Sequence, residues 1–155
     1  MSVFAVALLA PGAASACSIP PPPPPPPGMS DGDYLKQLIA QDQAERWNAA
    51  TTVILARVVR LSPYTFMRGV RTTQARVRQI ASLKGSPVTK DFTIRPVGMA
   101  MCGGGGADDI ATDRRGRTFV VFLAPGKPGK DNVSGAIDID KIVDPKLRAV
   151  IDQRR

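Results

Sequence analysis

The chain has 155 residues, no histidine and two cysteines, Cys17 and Cys102. Without histidine there is no Ser/His/Asp triad, no Cys/His pair, no HExxH zinc site and no c-type haem ligation. Two thiols are too few for a zinc site of the Cys₄ or Cys₂His₂ kind. Asp108, Asp109 and Asp113 carry oxygen ligands of the kind Ca²⁺ takes. Their spacing misses the EF-hand pattern, however, and Arg114-Arg115-Gly116-Arg117 follows at once, so the stretch reads as a solvated loop. Cys102 opens a run of four glycines, Gly103 to Gly106. A phosphate-binding loop needs a following Lys and Ser/Thr at the start of a helix, whereas here Ala107-Asp108-Asp109 would repel phosphate. The run reads as a flexible connection. No two carboxylates stand out as an acid pair for glycoside hydrolysis. The pattern points away from an enzyme and implies no cofactor and no resident metal.

The basic residues are more informative. The formal net charge is +8, and residues 57–96 carry nine bases against one acid, Asp91. Residues 28–56 carry two bases and four acids, and residues 97–155 carry ten and eight. The whole excess therefore sits in the middle of the chain, on Arg57, Arg60, Arg68, Arg71, Arg76, Arg78 and Lys84 among others. A row of such side chains on strands suits an anionic polymer, a lipid headgroup or an acidic protein face. Single-stranded nucleic acid would also want stacking aromatics among the bases. Only Tyr64, Phe66 and Phe92 lie there, with Phe92 expected in the core, so nucleic acid is disfavoured.

The first seventeen residues bear on compartment. Val3 to Ala10 is a compact apolar run, followed by Pro11-Gly12 and Ala14-Ser15-Ala16, the layout of a secretory leader with its cleavage site, although Met1-Ser2 carries no positive charge. The run is far short of the roughly 20 residues a membrane span needs. Residues 1–16 are thus expected to be a removable leader, and the product secreted or periplasmic. Cleavage would leave Cys17 first. It is then a lipidation cysteine anchoring an envelope protein (the only membrane link), a partner of Cys102 in a disulfide, or an unpaired thiol. Two cysteines in an exported chain favour the disulfide. Closing a loop of 85 residues would stabilise the fold by about 4–5 kcal/mol in the chain-entropy model. Pro20 to Pro27 are eight consecutive prolines, a polyproline II strut of about 25 Å at about 3.1 Å per residue. Residues 17–27 therefore form a cysteine-plus-proline segment ahead of one domain, residues 28–155.

Elements must position these groups. Ser30 and Asp33 resemble a capping box at the head of a helix over Asp31 to Ala49, with Leu35, Leu38, Ile39 and Trp47 at near-helical spacing. Thr51 to Leu61 is rich in β-branched residues and reads as a strand ending at Ser62-Pro63. Thr73 to Ser82 alternates, with Arg76 and Arg78 opposite Ala75 and Val77, and Lys84-Gly85-Ser86-Pro87 reads as a turn. Val88 to Pro96 alternates again. Thr118 to Ala124 is the most apolar strand and is expected to be central. Ile137 and Ile139 alternate with Asp138 and Asp140, and Asp144-Pro145 opens a last short helix carrying Leu147, Val150 and Ile151. Five strands and two helices in about 128 residues predict a mainly β fold, a small antiparallel barrel with an N-terminal and a C-terminal helix.

Several features come in a suggestive order: Cys17-Ser18-Ile19-Pro20-Pro21, a helix leading into Ala49-Ala50-Thr51-Thr52-Val53-Ile54-Leu55-Ala56-Arg57-Val58-Val59, then Leu83-Lys84-Gly85, Cys102-Gly103, and Gly116-Arg117-Thr118-Phe119-Val120-Val121-Phe122-Leu123. This order resembles the netrin-like module and the tissue inhibitors of metalloproteinases, an OB-fold family, over most of Cys17 to Leu123. The resemblance implies an OB-like barrel and a protein partner, a metalloprotease among the candidates. In that family the α-amine and carbonyl of the N-terminal cysteine chelate the protease zinc, and the small second residue faces its specificity pocket. Those roles would fall on Cys17 and Ser18 as a partner-binding edge. An α-amine of pKa about 7.7–8.0 is readily deprotonated by a metal. The family's Cys-x-Cys start is broken by Ile19, and its edge lacks so long a proline run. The expectation is an exported binding module acting through its N-terminal edge. A lipid-anchored envelope protein and an anion-binding module using the 57–96 face are the alternatives.

Overall fold

The computed structural model describes residues 23–65, 71–95, 116–127 and 132–154. Ser30 starts helix α1 (Asp31–Ala49): its hydroxyl accepts from the Asp33 N–H at 3.2 Å and donates to the Asp33 carboxylate at 2.8 Å. That local ring satisfies one of the donors a helix start leaves open. Strands β1 (Thr52–Thr65), β2 (Arg71–Lys84), β3 (Phe92–Ile94), β4 (Thr118–Leu123) and β5 (Val133–Asp138) follow. A 3₁₀ turn (Ile139–Lys141) and helix α2 (Pro145–Asp152) complete the order. Asp144 caps α2 by accepting from the N–H groups of Lys146 (2.7 Å) and Leu147 (3.1 Å), with Pro145 in the first turn.

The strands form one antiparallel sheet in the order β3-β2-β1-β4-β5. The mainly β class with a helix at each end of the domain is the one the sequence predicts. The barrel is an open one, because β3 and β5 are the two edges of the sheet. It still curls around an interior. Phe92 and Ile94 of β3 and Val133 and Ala136 of β5 join one buried cluster with Ile54, Ala56, Val58, Ala75, Val77, Phe119, Val121 and Leu123. The opposite face is covered by the helices. Val53, Leu55, Val120 and Phe122 pack there against Ala50, Ile142, Leu147 and Ile151, with Trp47 partly buried beside them. Residues 53–56 and 119–123 are therefore buried on both faces, which explains their unbroken apolar runs.

Five element expectations need correction. The middle position belongs to β1, and β4 lies next to it, paired with β1 and β5. β1 does not stop at Ser62-Pro63 but runs on to Thr65. β4 pairs with β1 only from Thr52 to Arg57, so further along one side of β1 is an edge, where a proline without an N–H is tolerated. β3 is three residues long, shorter than the alternation of Val88 to Pro96 suggested, and β5 (Val133–Asp138) ends before Ile139, which passes into the 3₁₀ turn. Finally, the first three turns of α1 bury nothing: Leu35 is 56% and Ile39 38% exposed, and the one buried residue of the helix is Gln43. Its amide explains this. Oε1 accepts from Val143 N (2.9 Å) and Asp144 N (3.0 Å), and Nε2 donates to Lys141 O (2.9 Å), so α1 is tied to the chain entering α2 by a polar hub. Among the described residues no helix is long and apolar enough to cross a membrane.

Candidate anion-binding face

The long β1–β2 hairpin has an inner face of Ile54, Ala56, Val58, Ala75 and Val77 and an outer face carrying the bases. Alternation alone would place Arg57 and Val59 outward and turn Arg60 inward. A β-bulge between Val58 and Arg60 inserts one extra residue, so that Arg60 pairs with Arg76 and Leu61 with Ala75. Bulges re-aim side chains in this way. Here the bulge keeps Leu61 against the core and brings Arg60 outward. The result is two cross-strand arginine pairs in register, Arg57 opposite Arg78 and Arg60 opposite Arg76. Like charges directly opposite one another weaken a sheet.

One acid offsets part of this. Asp91, just before β3, accepts from Arg78 Nε at 3.0 Å and from Arg78 Nη2 at 3.0 Å, a fork on both carboxylate oxygens, and lies 3.6 Å from Arg76 Nε. The hydrogen bond from Arg78 holds the Asp91 carboxyl below the usual carboxylate range; burial opposes this, and the charges of Arg78 and Arg76 add smaller downward effects. The Asp91 side chain is 18% exposed, whereas those of Arg76 and Arg78 stand 57% and 66% exposed. Arg57 and Arg60 are exposed and have no ion-pair partner among the described residues. The face thus retains a net positive charge.

Not every expected member belongs to it. Lys84 turns to the end of α1: its ammonium donates to the carbonyls of Trp47 (2.7 Å) and Ala50 (2.7 Å), and sits 5.7 Å from the Trp47 ring centroid. It satisfies carbonyls that a helix end leaves open, where positive charge is favoured. Arg68 lies outside the described residues, as does the side chain of Arg71, whose backbone opens β2 opposite Thr65. Arg95, at the end of β3, donates from Nε to Gln74 Oε1 at 3.0 Å. Phe92 is in the core as expected, at 8% exposure.

Sequence reasoning counted Asp91 but did not see its role, and it missed Gln43 and the Arg117–Asp138 ion pair. The only signal for Asp91 was its solitude among nine bases. Cys17, Ser18 and Cys102, and the glycine and aspartate stretch after Cys102, lie outside the described residues. A groove of about 440 Å³ runs between α1 and β5, past Ile39, Gln43, Ala136 and Ile137. Its polar groups are engaged within the fold: Asp42 holds Arg46 at 2.7 Å, and Gln43 makes the three bonds given above. It reads as a seam between helix and sheet.

Compared with known proteins, the chain matches no protein-family model and no curated protein. The likeness to the netrin-like and metalloproteinase-inhibitor modules therefore rests on the order of features in the sequence alone.

Proposed function

We propose that this chain is an exported, non-enzymatic binding module whose working surface is the outer face of the β1–β2 hairpin, directed at anionic partners. The observation that carries the reading is the register of the two arginine pairs, Arg57 with Arg78 and Arg60 with Arg76, against a single acid. A cross-strand arrangement that costs stability is suited to a ligand that neutralises it. Export is supported by the leader-like layout of residues 1–16, and the absence of histidine from the whole sequence supports a non-enzymatic role. The test is retention on a sulfonate resin and on immobilised heparin. The double substitution Arg57→Gln/Arg60→Gln is compared with Lys127→Gln/Lys146→Gln, which removes the same charge from exposed positions elsewhere. The arginine double variant should elute at clearly lower salt than the lysine control, because clustered charges act together within a screening length of about 10 Å at 0.1 M salt. Equal elution of the two would overturn the reading.

A second reading keeps the N-terminal edge as the contact, with Cys17 and Ser18 meeting a protein partner such as a metalloprotease. It is favoured by the surface position of the strut: Pro23, Pro24, Pro26 and Pro27 are all exposed ahead of α1.

A further inference from the structure

We infer that the partner of the arginine face is an extended acidic peptide segment of another protein, with carboxylates two residues apart and an apolar residue two further on. The inference rests on the proposed anion-binding role and names its ligand. The protein's own Asp91 already shows which anion the face accepts. Its carboxylate takes the Arg78 guanidinium on both oxygens at 3.0 Å, the side-by-side geometry in which arginine binds carboxylate most selectively. That contact uses one guanidinium fully and a second in part, leaving Arg57 and Arg60 to be met from outside.

The spacing supplies the rest. Arg76 and Arg78 are two residues apart on one strand, which is about 7 Å, and the bulge brings Arg60 and Arg57 into register with them. An extended peptide laid along the outer face repeats its same-side carboxylates at the same interval. Ile80 ends the row: it is the bulged residue between the Gln79 and Ala81 pairings, two beyond Arg78, and is 46% exposed. An apolar side chain two residues past the second carboxylate would rest on it. Nucleic acid fits less well, because Phe92 is buried and has no free face on which a base could stack.

The experiment uses the full chain and three probes at 0.1 M salt: the peptide Glu-Thr-Glu-Thr-Leu, a second peptide of the same composition in the order Leu-Thr-Thr-Glu-Glu, and a heparin oligosaccharide. The first peptide should bind about fivefold more tightly than the second, the effect of two exposed charge pairs placed in rather than out of register. The double variant Arg57→Gln/Arg60→Gln should erase the difference, and Ile80→Ser should reduce it. Equal binding of the two peptides, or heparin binding that outcompetes both, overturns the acidic-peptide assignment while leaving anion binding intact. No binding of any probe, or binding of all three that Arg57→Gln/Arg60→Gln leaves unchanged, overturns the anion-binding reading itself.

Discussion

Asp91 is the residue on which the arginine face turns. It holds Arg78 by two hydrogen bonds and Arg76 by charge, and in doing so it also competes with any outside carboxylate for those guanidinia. Asp91→Asn keeps the shape and removes the charge. The variant should elute from a sulfonate resin at higher salt than the wild type, since the face gains one net positive charge. Its pH dependence follows from the lowered pKa of Asp91. A carboxyl whose folded pKa lies below its unfolded value of about 3.9 contributes stability above that value and loses it as pH falls through the folded one. The stability gap between wild type and Asp91→Asn should therefore be constant from neutral pH down to about pH 5 and close below about pH 4. Urea midpoints at pH 7, 5 and 3 measure it, and a gap that persists unchanged at pH 3 would contradict the ion-pair role. The sequence made the arginines legible through their alternation with Ala75 and Val77, but not their partner. Asp91 is 13 residues from Arg78, and only the short β2–β3 ladder brings the two together.

Boundaries between elements show what local pattern can and cannot supply. The Ser30 cap, the start and end of α1, and the Asp144-Pro145 start of α2 were legible because their causes lie within three or four residues. The open barrel, the reach of β1 past Pro63 and the bulge that turns Arg60 outward depend on which strand lies alongside, which no local window contains. Lys84 illustrates the same limit. Its charge placed it on the basic face, yet three carbonyls at the end of α1 draw its ammonium away, while Gly85 beside it makes the close turn. Gly85 has φ +74°, and a Cβ there would stand 2.5 Å from the Thr51 carbonyl oxygen, so no other residue fits without moving backbone. Lys84→Met should cost about 1–3 kcal/mol in urea unfolding, the usual range for losing hydrogen bonds to a charged donor. It should also shift the emission of Trp47, the only tryptophan, and leave resin retention no lower than that of a single exposed lysine variant. A large selective drop in retention would return Lys84 to the basic face.

At the scale of the whole molecule the two readings of function separate, because the described residues of both cores lie in the domain after the N-terminal segment. Both clusters are built from residues between Ala50 and Ile151, the cap of α1 is Ser30, and Pro23, Pro24, Pro26 and Pro27 are exposed. A chain beginning at Gly28 should thus fold, with the same urea midpoint as the full chain in reducing buffer. If the arginine face does the work, the shortened chain keeps its salt-dependent binding to heparin, and Arg57→Gln/Arg60→Gln weakens it as in the full chain. If the edge of Cys17 and Ser18 does the work, deletion removes binding to a metalloprotease while heparin retention is untouched. The same pair of chains tests the expected link from Cys17 to Cys102. Oxidised full-length protein should exceed its own reduced form by about 4–5 kcal/mol, and the shortened chain, having lost Cys17, should show no such dependence on reductant. Equal midpoints for oxidised and reduced full-length protein would exclude a stabilising disulfide. The N-terminal edge would then lose the restraint that lowers the entropic cost of binding, which would leave the arginine face as the pre-organised surface.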